Sequence, residues 1–309
     1  MYNRKDVFPV GLFGNYMNPG PGINTNAPKK KPFFRFWDVL RHNSGRLLML
    51  NLIITALHLP LLLSMVFYVQ TDNALTVPFS IFLLVLQVIL EGPVLAGCAR
   101  VLRMIVLDKA CFLGEEFRKG FFGNFFPALL YWLLDTVIIV STWLAWQLYP
   151  QYAKENGIWY VLLAVTLGVA LMVLFMNFYV FPLQVATTLQ KKSVIKNSFM
   201  LAAISPKQCL LTLGCIVLTL AFCLGLMCIT TYLMFLFAFF PAAFIGYLVM
   251  FINYPVIQKY VINPYYADTG EENPEAEPAE DSGERVFTDR GGSEEPAPKN
   301  AGKKGKVIS

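Results

Sequence analysis

The most constraining feature of this sequence is a series of six apolar stretches, each about 20 residues long. Because an α-helix rises 1.5 Å per residue, each stretch is long enough to cross about 30 Å of hydrocarbon. The composition agrees: 56% of the 309 residues are hydrophobic and 15% are charged, unlike a typical soluble domain. The predicted membrane spans are Leu47–Val69, Pro78–Ala99, Pro127–Tyr149, Ile158–Phe181, Gln208–Thr230 and Phe239–Gln258.

The basic residues predict the orientation of these spans. Eight Lys and Arg residues precede the first span, five lie between the second and third, four between the fourth and fifth, and seven follow the sixth. The three intervening loops carry one, Lys154. Because basic loops remain in the cytoplasm, we predict a multi-pass protein of the cell membrane with cytoplasmic N and C termini. The segment before the first span lacks the apolar core of a secretory leader, so we expect it to stay on the cytoplasmic side.

A short amphipathic segment precedes each odd-numbered span, and each carries aromatic residues on one helical face. Such segments are suited to lying in the membrane interface before the chain turns into the bilayer. The residues that we expect to serve as interfacial anchors are Phe33, Phe36, Trp37, Phe117, Phe121 and Phe199.

A proline stands near the predicted inner end of each even-numbered span, at Pro93, Pro182 and Pro255. Together with the preceding amphipathic segments, these prolines indicate three repeats, although membrane helices also tolerate proline for general reasons. The predicted fold class is all-α: a polytopic membrane protein with six transmembrane helices as three helical hairpins, each preceded by a cytoplasmic interfacial helix. Residues 1–32 form a cytoplasmic segment, residues 33–263 the transmembrane domain, and residues 264–309 a cytoplasmic tail that is predicted to be disordered.

Three ionisable residues, Glu91, Asp135 and His58, lie within predicted spans, where polar groups are costly. In a functional interpretation, Glu91 and Asp135 line a polar cavity open to the cytoplasm or take part in proton-linked gating. In a structural interpretation, Glu91 caps backbone groups freed by the following proline, or pairs with Arg100 or Arg103. His58 then forms an interhelical hydrogen bond.

Motifs of the common enzyme classes are missing from the sequence. It contains no GxSxG, HExxH or Walker loop, so we expect no enzymatic activity and no cofactor. Two histidines and six cysteines without a CxxC pair do not suggest a metal cluster. The basic residues are separated by apolar spans, which indicates topology rather than nucleic-acid binding. The expected partner is the lipid bilayer.

Several segments resemble the YesL family of bacterial membrane proteins, a domain of unknown function. They are "GLFGNYMNPGPGINTNAPKKKPFFRFWDVLRHNSGRLLMLNL", "EGPVLAGCARVLR" with the downstream "EEFRKGFFGNF", and "YVFPLQ". The similarity extends from Gly11 to about Tyr266. It implies an association with carbohydrate ABC importers and glycan-degrading enzymes, and it transfers no catalytic or ligand-binding residue to this chain.

Two functions are therefore expected from the sequence. The first is an accessory membrane protein that associates with subunits of an ABC-type carbohydrate importer, which agrees with the short outer loops and the few charges within the spans. The alternative is a small-solute transporter in its own right, with Glu91 and Asp135 facing a polar cavity open to the cytoplasm.

Overall fold

Every regular element is helical in the computed structural model, which describes residues 31–69, 75–154, 156–229, 240–270 and 273–275. The chain divides into two units, Lys31–Glu275 and Met1–Lys30 with Ala276–Ser309. The second unit lies outside the described residues. The predicted N-terminal segment up to residue 30 and the predicted tail from residue 276 therefore lie there too.

Eleven α-helices follow one another in the described part of the first unit. They are α1 (Pro32–His42), α2 (Ser44–Leu57), α3 (Leu59–Val69), α4 (Thr76–Val106), α5 (Leu113–Gly123), α6 (Phe125–Tyr152), α7 (Ile158–Ala186), α8 (Lys191–Ile204), α9 (Pro206–Ile229), α10 (Pro241–Ile257) and α11 (Asn263–Thr269), with a π-helical turn at Gln258–Ile262.

Five long helices are apolar enough to cross a membrane: α4, α6, α7, α9 and the continuous stretch Pro241–Thr269. Helices α2 and α3 together form a sixth span if they are counted as one, although they are bent by 43°. Each predicted span coincides with one of these helices or with the bent pair. The prediction of an all-α, polytopic membrane protein is confirmed at this level.

The three predicted amphipathic segments are separate short helices, α1, α5 and α8. One residue separates each of them from the helix that follows: Asn43 after α1, Asn124 after α5 and Ser205 after α8. All three residues close their helix with a side-chain bond to the carbonyl four residues earlier: Asn43 Nδ2 donates to Val39 at 3.0 Å, Asn124 Nδ2 to Gly120 at 3.3 Å, and Ser205 Oγ to Leu201 at 2.6 Å. Local hydrogen bonding of this kind competes with continuation of the helix.

Proline explains the bend in the first span. Pro60 is the second residue of α3 and has no backbone N–H to continue the hydrogen bonds of α2. The break falls at His58, which ends α2. By contrast, Pro93, Pro182 and Pro255 lie inside continuous helices rather than at their ends.

Helix α4 is the centre of the unit and packs against α2, α3, α5, α6, α7 and α10. Two glycines make the closest approaches possible. A Cβ atom at Gly92 would lie 2.4 Å from the carbonyl oxygen of Ala128 on α6. A Cβ atom at Gly120 on α5 would lie 2.9 Å from the Cα of Gly97 on α4. Small residues thus let three helix backbones meet, as in many membrane interfaces.

Buried polar groups connect helices that are distant in sequence. Asn51 of α2 accepts a 2.7 Å hydrogen bond from the backbone N–H of Ala243, in the first turn of α10. Tyr247 of α10 donates to the carbonyl of Phe36 on α1 at 2.9 Å. Because a helix N-terminus has free N–H groups, Asn51 satisfies one of them from a neighbouring helix.

The predicted domain boundary at residue 263 differs from the structure. The chain continues as a helix through Asn263–Thr269, and Asn273 then donates to the side chain of Asn263 at 3.0 Å. Lys109 also donates to the carbonyl of Pro274 at 2.9 Å. The first residues of the predicted tail therefore form a helix, and residues 273–275 contact Asn263 and Lys109.

Candidate functional site: a cavity between the helices

A cavity of about 1720 Å³ lies between α2, α3, α4, α6, α7, α9 and α10. It is larger than the roughly 300–1,000 Å³ of most small-molecule sites. Aliphatic and aromatic side chains make up most of its lining, among them Leu95, Val173, Val249 and Trp146. The cavity is therefore mainly apolar, which differs from the polar cavity expected from the sequence.

All three ionisable residues predicted within the spans line this cavity. His58 comes from the break between α2 and α3, Glu91 from α4 and Asp135 from α6. The structure thus brings together residues that are 33 and 44 positions apart in sequence. It separates them from Arg100 and Arg103, the partners considered for Glu91.

His58 and Glu91 form a direct pair, with 3.0 Å between Nε2 and Oε2. The same oxygen accepts a 2.8 Å hydrogen bond from Gln87, one helical turn earlier on α4. The expected interhelical hydrogen bond of His58 is confirmed. The pairing with Arg100 or Arg103 that was one alternative for Glu91 is not formed, because Arg100 binds Glu116 and Arg103 binds Tyr254.

The hydrogen-bond geometry fixes the number of protons on this pair. His58 Nδ1 lies 2.8 Å from the carbonyl oxygen of Ile54, which can only accept, so Nδ1 carries a hydrogen. The 3.0 Å contact between Nε2 and Glu91 then requires a second hydrogen between the two atoms. The pair is therefore either imidazolium with carboxylate or imidazole with carboxylic acid. Its net charge is zero in both cases, which suits an apolar environment.

Asp135 has a different environment. It is buried, with 8% of its surface exposed, and the amide of Asn177 on α7 lies beside its carboxylate. Its Oδ2 atom has no hydrogen-bond partner within the described residues, and neither has Nε1 of Trp132, three residues earlier on α6. Both residues line the cavity. One acceptor and one donor on the same turn of α6 are therefore buried without a partner among the described residues.

A second polar cluster lies at the end of α4 and was not found from the sequence. Arg103 donates to the hydroxyl of Tyr254 on α10 at 2.8 Å and to the carbonyl of Val185 on α7 at 3.1 Å. It also pairs with the carboxylate of Glu275, which in turn accepts a 2.7 Å bond from Tyr254. This cluster joins α4, α7, α10 and the chain after α11.

Arg100 connects α4 to α5 through a 2.8 Å bond to Glu116, which also receives a bond from Lys119. Burial alone would raise the pKa of Glu116, but these two hydrogen bonds outweigh burial and lower it. Both arginines that follow Cys98 on α4 therefore hold neighbouring elements against this helix. Neither contributes to the cavity lining.

The predicted interfacial anchors fall into two groups. Phe33, Trp37 and Phe199 are more than half exposed, as an anchor in the membrane interface requires. Phe117 and Phe121 are buried instead, and the ring of Phe117 lies beside Gly97 of α4.

Phe36 also packs inside the unit. Its ring centroid lies 5.0 Å from that of Tyr247 and 5.2 Å from that of Phe251, both on α10. The amphipathic face of α1 thus contacts a neighbouring helix as well as the surroundings. Periodicity alone cannot distinguish these two kinds of apolar contact.

Within the part of the chain that the structure describes, no group of three His, Cys, Asp or Glu side chains is placed to hold a metal ion. The six cysteines are all free thiols. No protein-family model, curated protein or solved structure matches this chain.

The His58–Glu91 pair makes a testable contribution to stability. We expect His58→Leu and Glu91→Leu each to lower the free energy of unfolding, because each leaves one polar partner alone in an apolar cavity. The double variant should lose less than the sum, with a coupling energy of about 1–3 kcal/mol. Unfolding of the full chain in detergent micelles, followed by circular dichroism, measures this difference.

The exposed pair Glu115–Lys119 is the matched control, because its atoms lie 2.7 Å apart but in solvent. Its double-variant cycle should give a coupling energy near zero, because solvent screens an exposed ion pair. Equal coupling energies for the two pairs would contradict the role assigned to His58 and Glu91.

Proposed function

We propose that the chain crosses the cell membrane six times as three helical hairpins, with both termini in the cytoplasm. Packing of α3 on α4, α6 on α7 and α9 on α10 supports this arrangement, as does the 24-to-1 distribution of basic residues between the two sides. In this orientation, α1, α5 and α8 lie on the cytoplasmic side, and the Arg103 cluster lies at the cytoplasmic ends of α4, α7 and α10.

Epitope tags test the orientation directly. A tag inserted after Lys154 should bind antibody in intact cells, whereas a tag near Lys192 should bind antibody after permeabilisation alone. Immunofluorescence of the two tagged proteins measures this difference. The reverse pattern would contradict the proposed topology.

For the molecular function, we propose binding of an amphipathic molecule from the bilayer in the cavity between the helices. The observation that carries this proposal is the size of the cavity together with its mainly apolar lining. A sugar or another polar solute would lose its water without gaining enough hydrogen bonds in such a site. A molecule with an apolar body and a small polar group matches both the lining and the few polar residues.

Two polar groups of the cavity support an orienting role for a ligand's polar end. The His58–Glu91 pair lies on one side of the cavity, on α2 to α4, and Asp135 lies on α6. Apolar sites commonly use a few such groups to fix the orientation of a ligand. We propose binding, with or without movement of the ligand across the membrane, and no enzymatic activity.

Photolabelling of the full chain in phospholipid nanodiscs tests the binding proposal. A fatty alcohol that carries a diazirine should label cavity residues such as Leu95, Val173 and Val249 in a saturable manner. Labelling of exposed residues on α9, such as Val217 and Leu218, should rise linearly with probe concentration. Peptide mapping by mass spectrometry measures both.

A cavity-filling variant supplies the control. Ala242 lines the cavity, so Ala242→Trp should reduce saturable labelling severalfold. Leu218→Trp, at a residue that is 72% exposed on α9, should leave it unchanged. Linear labelling at every position, with no effect of Ala242→Trp, would contradict a binding cavity.

An accessory role beside an ABC-type carbohydrate importer is the second candidate. It is supported by the resemblance to the YesL family and by the loops on the proposed outer side: six residues separate α3 from α4, and five separate α6 from α7. Such loops leave little chain outside the membrane with which to capture a substrate.

Purification from the native membrane in a mild detergent tests this role. ABC permease subunits should be recovered with the chain in a fixed ratio, measured by quantitative mass spectrometry. Replacing α8 residues at exposed positions, as in Phe199→Ser, should lower that ratio if the cytoplasmic helices form the contact. Recovery of the chain alone would contradict the accessory role.

A further inference from the structure

The charges around the cavity are not balanced. Among the described residues that line it, the ionisable side chains with a possible charge at neutral pH are His58, Glu91 and Asp135, and none is Lys or Arg. The hydrogen bonds of His58 and Glu91 make that pair neutral, as shown above. Asp135 has no charged partner within the described residues, since the side chain beside its carboxylate is the neutral amide of Asn177.

The carboxylate of Asp135 is buried without a full set of hydrogen-bond partners. One carboxylate oxygen, Oδ2, has no partner within the described residues although the residue is 92% buried. An unpaired acceptor in an apolar environment costs about 1–3 kcal/mol, and more if it is charged. Buried carboxylates are normally paired with a cation or with several donors. Neither is supplied here by the described part of the protein.

Aromatic side chains accompany this carboxylate along the same helix. Trp132, Trp143 and Trp146 of α6 all line the cavity, as do Phe178 and Phe181 of α7. Indole rings attract cations through their faces, by about 0.5–2 kcal/mol in partly desolvated sites. The lining of α6 therefore combines one acidic group with the ring type that best tolerates a positive charge.

From these observations we propose that the ligand of the cavity is a lipophilic cation, with its positive group against Asp135 and its apolar body among the side chains of α6, α7 and α10. This inference rests on the proposed binding function and specifies the class of ligand. A cation supplies the partner that Asp135 lacks. A neutral molecule leaves the carboxylate uncompensated, and an anion is repelled by it, so one residue discriminates among the three.

Two tetraphenyl ions of nearly equal size and opposite charge test the inference. The full chain in nanodiscs is labelled with the neutral photoreactive fatty alcohol, and the concentration of tetraphenylphosphonium that halves labelling at Val173 is measured. Asp135→Asn keeps the shape of the side chain and removes its charge. We expect it to raise this concentration on the order of tenfold, the effect of losing a partly desolvated charge contact. It should not weaken competition by tetraphenylborate.

Thr136→Val is the matched control on the same helix. Thr136 is next to Asp135 in sequence but does not line the cavity, and its hydroxyl donates to the carbonyl of Trp132 at 2.8 Å. Loss of this hydroxyl should change the concentration of tetraphenylphosphonium that halves labelling by less than about twofold, as most surface substitutions do. Asp135→Glu, which retains the charge, should preserve most of the competition. A single symmetric peak in size-exclusion chromatography verifies that each variant is folded.

The outcomes separate the two proposals. Equal competition by tetraphenylphosphonium in the parent and in Asp135→Asn, with saturable labelling intact, overturns the cation inference and leaves the binding function standing. An equal loss of competition by tetraphenylborate in Asp135→Asn overturns it as well, because the effect would then not depend on the sign of the charge. If labelling by the neutral probe does not saturate in the parent, the binding function itself fails.

Discussion

The cost of placing polar groups in hydrocarbon is the constraint on which this structure depends. Backbone groups avoid this cost by hydrogen bonding within helices, which explains why the described chain is helical throughout its spans. Polar side chains avoid it by pairing between helices: Asn51 with the first turn of α10, and His58 with Glu91. These bonds fix which helices are neighbours. The polar residues in the spans therefore do more to specify the fold than the apolar residues, which any lipid-exposed face also carries.

Helix α4 shows how the same constraint positions the cavity. Its small residues bring α5 and α6 into backbone contact on one side, while Glu91 and the bend at Pro60 hold α2 and α3 on another. Helices α6 and α7 pack on each other and also border a space that the described side chains do not fill. The cavity follows from uneven packing around one central helix.

Much of this fold could be predicted from the sequence, because hydropathy and basic residues report directly on spans and loops. The beginning of α7 at Ile158 was predicted to the residue, and α1, α5 and α8 were recognised by their amphipathic pattern. The end of α4 was not predicted, because Arg100 and Arg103 were assigned to a loop. They lie within the helix, where they pair with Glu116, Tyr254 and Glu275. Burial of Phe117 and Phe121 was missed for a related reason: an apolar helical face has the same pattern whether it meets lipid or protein.

The sequence was sufficient to select His58, Glu91 and Asp135, but not to predict which of them are in contact. An ionisable residue within an apolar stretch is visible in any sequence, whereas its partner depends on which helices meet. The contact of Glu275 with Arg103 gives the clearest consequence of such long-range pairing. Residues 276–309 follow Glu275 directly, so a protein that binds this segment and draws it away pulls first on the carboxylate that holds α4 to the segment after α11. Arg103 would then keep its bonds to Tyr254 and Val185 but lose its counter-ion. Binding to residues 276–309 would thus change the charge at the ends of α4, α7 and α10.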